Sequence, residues 1–427
     1  MKKLTSNRWF IASMGTLLQV VLGTVYAWSF FQNPIITEYG WSNVETMWIF
    51  SSAILFLGLS AAIGGMMLPK FGPRRLASLG ALLYSIGYLV GAYAMHLNSL
   101  PLFYLGFGMI GGIGLGLGYV TPVTTASKWF PDKKGFITGM VVMGFGLGAL
   151  VMSKFIAPLL MHFTDGNMVE VFFYIAIVFM AIGVPAGLLL KNPPQGFVPK
   201  GFIPPQESIT TQNFGSSLTV KESLLSTKFL GMWFIFFLNI SAGIMFIGLQ
   251  SPMIQDLFRI HDASMSTESL AMVGATLIAV SSLFNGVGRF FWGAISDKIG
   301  RIQVFRLILG SQIVVFILMM FTENPWIFGL LVCYVLLCYG GGFGAMPSYV
   351  LDVFHTQLMP VVYGTILTAW SIGGIVGPQV AAFIRDYYAD TPEIIGPRTY
   401  LVGAVLLGIG LMVSLSLSNK SIIEGKV

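Results

Sequence analysis

Residues 270–295 read LAMVGATLIAVSSLFNGVGRFFWGAI, an apolar run with a single charge in it, Arg289. About 20 apolar residues in a helix cross the roughly 30 Å of bilayer hydrocarbon. A charge at the centre of such a helix costs about 2.5 to 3.5 kcal/mol on insertion scales and normally faces a polar cavity holding something of opposite sign. The chain carries this charge although only 9% of its residues are charged. The most economical partner is an anion that is carried across the membrane.

Comparable runs fill most of the chain. Its 427 residues are 55% hydrophobic with a mean hydropathy of +0.81, the composition of an integral membrane protein. Spans are predicted at 9–33, 46–68, 76–96, 100–126, 136–161, 169–190, 229–253, 269–295, 303–321, 325–349, 360–384 and 397–418. This gives an all-α membrane protein with twelve transmembrane helices in two pseudo-symmetric six-helix bundles. Little length remains for a soluble catalytic domain. No nucleophile–base–acid constellation or phosphate-binding loop stands out, so neither an enzyme nor a bound cofactor is expected. Met1-Lys2-Lys3 before the run from Trp9 to Phe31 resembles a signal peptide, but the run is too long and lacks a small-residue cleavage site. It reads as a retained first helix.

The linkers alternate in charge. One set holds Lys2, Lys3, Arg8, Lys70, Arg74, Arg75, Lys128, Lys133, Lys134, Lys191, Lys200, Lys221, Lys228, Lys298, Arg301, Arg306, Lys420 and Lys426, which is 18 of the 23 Lys and Arg residues; the other keeps Arg259, Arg385 and Arg398. Positive linkers stay cytoplasmic, so both termini are expected inside a cell (inner) membrane, as an even span count also requires. The net charge of +6 is thus explained by orientation and not by nucleic acid. The longest linker, rich in Pro, Ser, Thr and Gln, divides the chain into bundles at 1–190 and 229–427 with a cytoplasmic linker at 191–228. Thr219-Val220-Lys221-Glu222 fits a capping box, which predicts a short helix before the seventh span.

Some signals carry no chemistry. Gly106 to Gly111 matches a dinucleotide-binding spacing without the strand–turn–helix context. Gly108 and Gly112, Gly144 and Gly148, and Gly373 and Gly377 instead fit close helix packing. His96, His162, His261 and His355 are scattered over separate linkers, so no metal site is expected. Cys333 and Cys338 share one span, which argues against a disulfide framework.

The halves echo each other. Gly293-Ala294-Ile295-Ser296-Asp297-Lys298-Ile299-Gly300-Arg301 follows the eighth span, and Gly65-Met66-Met67-Leu68-Pro69-Lys70-Phe71-Gly72 follows the second, 228 residues earlier. Internal repeats of this kind are expected of secondary transporters, with the substrate at the repeat interface. The pattern resembles the Gly-x-x-x-Asp-(Arg/Lys)-x-Gly-(Arg/Lys) motif of the major facilitator superfamily. The second copy is intact and the first has Pro69 in place of the acid. The resemblance implies gating roles for Gly65, Gly72, Asp297, Lys298, Gly300 and Arg301. Within that superfamily the chain resembles the oxalate/formate antiporter group and the related monocarboxylate transporters, through Tyr119 with Lys128 to Gly135, Leu283 to Arg301, and Met346-Pro347-Ser348 with Asp352 and Phe354.

In that group the eighth-helix arginine binds the substrate carboxylate, and the role falls on Arg289. The chemistry stands without the resemblance: a guanidinium is a rigid fork of donors matched to a carboxylate and is always charged. The alternative is an arginine reaching for the cytoplasm, which Phe290, Phe291 and Trp292 are expected to obstruct. Tyr26 and Trp28 in the first helix and Tyr119 in the fourth are candidate pocket aromatics, and the resemblance aligns both tyrosines with substrate contacts. Tyr339 and Phe343 share a face at i, i+4 around Gly340-Gly341-Gly342, as gating or as packing aromatics. Trp370 falls where the oxalate antiporter has a second buried lysine. One central cation balances one carboxylate, which favours a monocarboxylate over a dianion. Asn285, one turn before Arg289, stands where proton-coupled relatives carry an aspartate; an amide cannot titrate, so it bonds either the substrate or a neighbouring helix. Lys154 is placed near the external end, Asp352 and His355 at the cytoplasmic gate.

The expected protein is a secondary transporter of small organic anions, partnered by a carboxylate substrate, the lipid bilayer and a counter-transported anion or proton. An oxalate/formate-type exchanger, an exporter of larger metabolites or drugs, and a membrane sensor using the same pocket are the alternatives.

Overall fold

The computed structural model describes residues 7–130, 132, 134–194, 197–199 and 219–420. Lys2, Lys3, Lys133, Lys200, Lys426 and most of the expected linker lie outside the described residues, as does the side chain of His355. Every regular element among the described residues is a helix, and eleven of them are long and apolar enough to cross a membrane. The longest, Asn43–His96, is broken at Gly72, where φ is 74° and ψ 163°, and so makes two passes. The spans are α1 (Arg8–Tyr39), α2 (43–71), α3 (73–96), α4 (Leu100–Trp129), α5 (Phe136–Phe163), α6 (Met168–Leu188), α7 (Thr227–His261), α8 (Thr267–Ile299), α9 (Arg301–Met320), α10 (Pro325–Phe354), α11 (Val361–Tyr387) and α12 (Pro392–Leu415).

The helices outrun the apolar windows because polar caps, not hydropathy, end them. Ser42 caps α2 in a capping box with Glu45, and Ser266 and Asn324 cap α8 and α10. The expected box at Thr219 and Glu222 is formed and opens the helix Val220–Leu224. Gly300, at φ 93° and ψ 149°, turns α8 into α9 just as Gly72 turns α2 into α3. Both positions use a backbone region open to glycine and strained for other residues. The 228-residue sequence echo is therefore an echo of backbone geometry.

The bundles meet along α2–α11 and α5–α8. At the second seam the backbones touch: a Cβ on Gly146 would lie 2.6 Å from the Gly286 Cα, and the Ser282 hydroxyl donates to the Gly146 carbonyl. At the end away from the basic linkers, polar ties cross between bundles. Asp386 of α11 accepts from the Asn43 amide at 3.0 Å and the Val44 N–H at 3.1 Å, so an acid of one half caps a helix of the other. Asn33 donates to Gln255 at 3.3 Å. That end is closed.

Candidate functional site

Arg289 is 1% exposed, so it does not face lipid. Two glycines of α10 set its position. A Cβ on Gly344 would lie 2.0 Å from the Arg289 carbonyl oxygen, and one on Gly340 would lie 2.1 Å from that of Asn285. The two helices therefore pack backbone to backbone there, as small residues permit, and the long side chain is directed into the space between the bundles.

Its guanidinium is sparsely bonded. Nε donates to Asn285 Oδ1 and Nη1 to the Tyr119 hydroxyl, both at 3.4 Å, long for hydrogen bonds. Nη2 is buried and has no hydrogen-bond partner among the described residues. The Phe343 ring lies 4.8 Å and the Phe145 ring 5.7 Å from the guanidinium carbon, and no acid forms an ion pair with Arg289 among the described residues. Ring faces offset part of the cost of a buried cation but do not neutralise it. The site has an unfilled requirement for negative charge and acceptor oxygens.

Around this cation the rings interlock. The hydroxyls of Tyr26 and Tyr339 bond across the bundle interface at 2.6 Å. Tyr26 sits in a 3₁₀ turn, Thr24–Ala27, that interrupts α1, and such interruptions mark hinges. Trp370 stacks edge-on against Tyr26, Tyr119, Phe145 and Phe343 at centroid distances of 4.7 to 6.2 Å. Its indole Nε1 and the Tyr363 hydroxyl are buried without partners at bonding distance. Arg289 Nη2, Trp370 Nε1 and Tyr363 OH thus surround one aromatic cage, the indole near the Tyr339 hydroxyl and the Tyr363 hydroxyl near that of Tyr119.

A cavity of about 190 Å³ reaches Arg289 from the side of the basic linkers, between Phe136, Phe290, Gly293, Asp297 and Ser348. Phe290, expected to obstruct the way to the cytoplasm, lines this cavity against Phe136 of α5, with 6.0 Å between ring centroids; Gly293 and Ala294 leave space beside it, and Phe291, 44% exposed, is not part of the lining. A larger recess of about 480 Å³ between α7, α8 and α10 is lined by Met272, Val273, Leu277 and Leu330 and does not include Arg289. It is a mainly apolar groove whose lining also holds Ser269 and Thr276.

The structure thus brings together Arg289, Asn285, Tyr26, Tyr119, Tyr339, Phe343 and Trp370. It does not bring Trp28 to them: that indole donates to Gln32 at 2.7 Å and packs on Phe103 and Phe107 inside the first bundle. Lys154 lies in a π-helical segment, Met152–Ile156, and donates to Thr276 of the other bundle at 2.7 Å. Phe145 and Tyr363 were not singled out in the sequence. Phe145 is flanked by Gly144 and Gly146, the glycines that press α5 onto α1 and α8, which is the signal that marks it as interfacial. Of the gating candidates, Arg301 pairs with Asp297 at 2.6 Å and with Asp352 at 2.9 Å, tying the α8–α9 turn to α10. Lys298 is exposed and Gly65 buried within α2.

The family model of the Major Facilitator Superfamily matches residues 11–378, and the chain belongs to that superfamily. It is a membrane transporter rather than an enzyme. It is 26% identical over 391 residues to the oxalate:formate antiporter of Oxalobacter formigenes, covering 90% of this chain and 87% of that one. It is 29% identical over 383 residues to apicoplast pyruvate carrier 1 of Toxoplasma gondii, covering 75% and 66%, and 22% identical over 377 residues to monocarboxylate transporter 10 of Danio rerio, covering 86% and 69%. Among solved structures, the fold is similar to a bacterial homologue of the human lysosomal transporter Spinster, with a TM-score of 0.66, 16% identity and coverage of 95% and 96%. A variant of the nucleoside transporter NupG gives 0.67, with 14% identity and coverage of 96% and 99%.

Proposed function

We propose that this transporter moves small organic anions, monocarboxylates foremost, by alternating access, with the carboxylate held at Arg289. The observation that carries the reading is the buried Nη2 of Arg289, which has no partner among the described residues. A carboxylate supplies both the missing charge and the missing acceptors in one group, and a charge-assisted pair with a guanidinium is among the stronger polar contacts. Tyr119 and the Tyr26–Tyr339 pair form the opposing walls, and Trp370 closes the pocket where a second cation would admit a dianion. The 1–190 and 229–427 bundles rock about the site, with 191–228 as the cytoplasmic linker, in a cell (inner) membrane with both termini inside.

Exchange is the favoured mode. Asn285 offers no proton site beside Arg289, so an empty carrier that closes over the site buries an uncompensated cation, whereas a loaded one is neutral there. A counter-transported anion removes that penalty on the return step. Relatives that act on oxalate with formate, on pyruvate and on monocarboxylates support the substrate class.

The test is counterflow in proteoliposomes with formate, lactate, pyruvate, oxalate and longer acids, with and without a pH gradient. Saturable exchange of a monocarboxylate, lost in Arg289→Ala, is expected. Normal exchange by Arg289→Ala would exclude the site. Preference for oxalate, or for a large neutral compound, would replace the substrate assignment and leave the fold.

A further inference from the structure

The turn between α2 and α3 and the end of α6 flank an open surface recess of about 520 Å³, lined by Phe71, Pro73, Arg74, Arg75, Lys191 and Asn192. Arg74, Arg75 and Lys191 are all exposed, and none forms an ion pair among the described residues. The framework holding them is rigid. The Trp129 indole donates to the Lys191 carbonyl at 2.6 Å, the Ser78 hydroxyl to the Arg74 carbonyl at 2.8 Å, and Gly187 packs on the backbone at Ser78.

The equivalent turn in the other half is built differently. There Arg301 is neutralised by Asp297 and Asp352. Subtracting the 228-residue repeat places Pro69 at the first acid and Pro73 at Arg301, so the first-half turn carries its cations one and two residues later, at Arg74 and Arg75, without the acid at position 69. The surroundings point to the source of the missing charge. Immediately on the membrane side, Leu79 and Leu188 are 43% and 47% exposed, and Phe71 at the rim is 39% exposed. A cationic basin above an exposed apolar strip, at a membrane boundary, matches a molecule with an anionic head and acyl tails.

We propose that this basin binds the phosphate of an anionic phospholipid from the adjacent leaflet, which supplies to the α2–α3 turn the negative charge that two aspartates supply to the α8–α9 turn. Clusters of Lys and Arg at the boundary of a membrane helix attract anionic headgroups. Phosphatidylcholine, whose phosphate is balanced by its own cation, is a poor occupant. A free phosphate ion satisfies the cations but leaves the apolar strip unused. The assignment is independent of what Arg289 transports.

The test is native mass spectrometry of the full chain titrated with phosphatidylglycerol or phosphatidylcholine of matched acyl chains. Selective phosphatidylglycerol adducts are expected. The R74Q/R75Q/K191Q variant is expected to lose roughly ten-fold or more in that affinity, while R74K/R75K and a control with three cations removed elsewhere on the same face, K221Q/K298Q/K420Q, keep it. Undiminished binding in R74Q/R75Q/K191Q, an equal loss in the control, or a loss in R74K/R75K would each overturn the proposal. So would displacement of the lipid by millimolar inorganic phosphate at constant ionic strength, which would identify a soluble-anion site.

Discussion

At the α8–α9 turn, Arg301 is held between Asp297 and Asp352; at the matching α2–α3 turn, Arg74 and Arg75 pair with no acid among the described residues. The same asymmetry runs through the centre of the molecule. The second half supplies the cation Arg289, the amide Asn285 and the rings of Tyr339, Phe343 and Trp370, whereas the first supplies rings alone, Tyr26, Tyr119 and Phe145. Two halves with one backbone plan have thus divided the work. The second half holds fixed charges whose partners are built in or, for Arg289, proposed to come with the substrate. The first contributes rings, and at its turn it leaves charge to be met from outside.

The largest effect is expected where this division is sharpest. Arg289→Ala removes the central charge and leaves a substrate carboxylate desolvated and unpaired, a loss of about 2 to 5 kcal/mol. Carboxylate uptake should fall at least about thirty-fold on the same scale, with insertion unchanged. Arg289→Lys should recover little, because an ammonium lacks the planar fork. Proteoliposome exchange reads both; uptake near normal in either would break the comparison at its centre.

Asn285→Asp comes next. The new carboxylate lies one turn from Arg289, where Nε is 3.4 Å from the amide oxygen, and it competes with the substrate for the guanidinium. KM should rise roughly ten- to hundred-fold for an internal ion pair of this kind. A KM equal to the parent's would show that position 285 does not address the arginine.

These residues also show what could be read from the chain alone. Arg289 was legible because a lone charge in an apolar span has few explanations, and Asn285 because a helix returns to the same face after four residues. Trp28 misled for the same geometric reason: it is two residues from Tyr26, and residues i and i+2 point to different sides of a helix. Phe145 and Tyr363 were hidden because nothing distinguishes a cage aromatic from a packing one until the glycines around it are seen to touch a neighbouring helix. Phe290 and Phe291 were assigned to a barrier by size alone, whereas which of them lines the cavity to Arg289, Phe290 against Phe136, depends on how α8 meets α5. The spans were legible from hydropathy, their ends only from the caps.

A smaller effect is expected at the seam between the halves. Tyr26→Phe removes the 2.6 Å hydroxyl pair with Tyr339, a neutral hydrogen bond worth about 0.5 to 1.5 kcal/mol. Uptake should change by roughly two- to ten-fold, since the pair links the bundles near the hinge in α1. Rates at saturating substrate separate a change in rocking from a change in binding.

The smallest effect on transport belongs to Pro69→Asp, which puts an acid back into the turn that lacks one. Pro69 is exposed, and a solvent-facing carboxylate near cations contributes about 0 to 1 kcal/mol. Transport should therefore stay within about two-fold of the parent. Anionic-lipid affinity is the sensitive readout: one added negative charge at the basin should weaken it by about five-fold. If instead transport falls sharply while lipid binding holds, the acid-free turn serves the rocking step itself. The two halves would then differ in how they move, not in where they obtain their counter-charge.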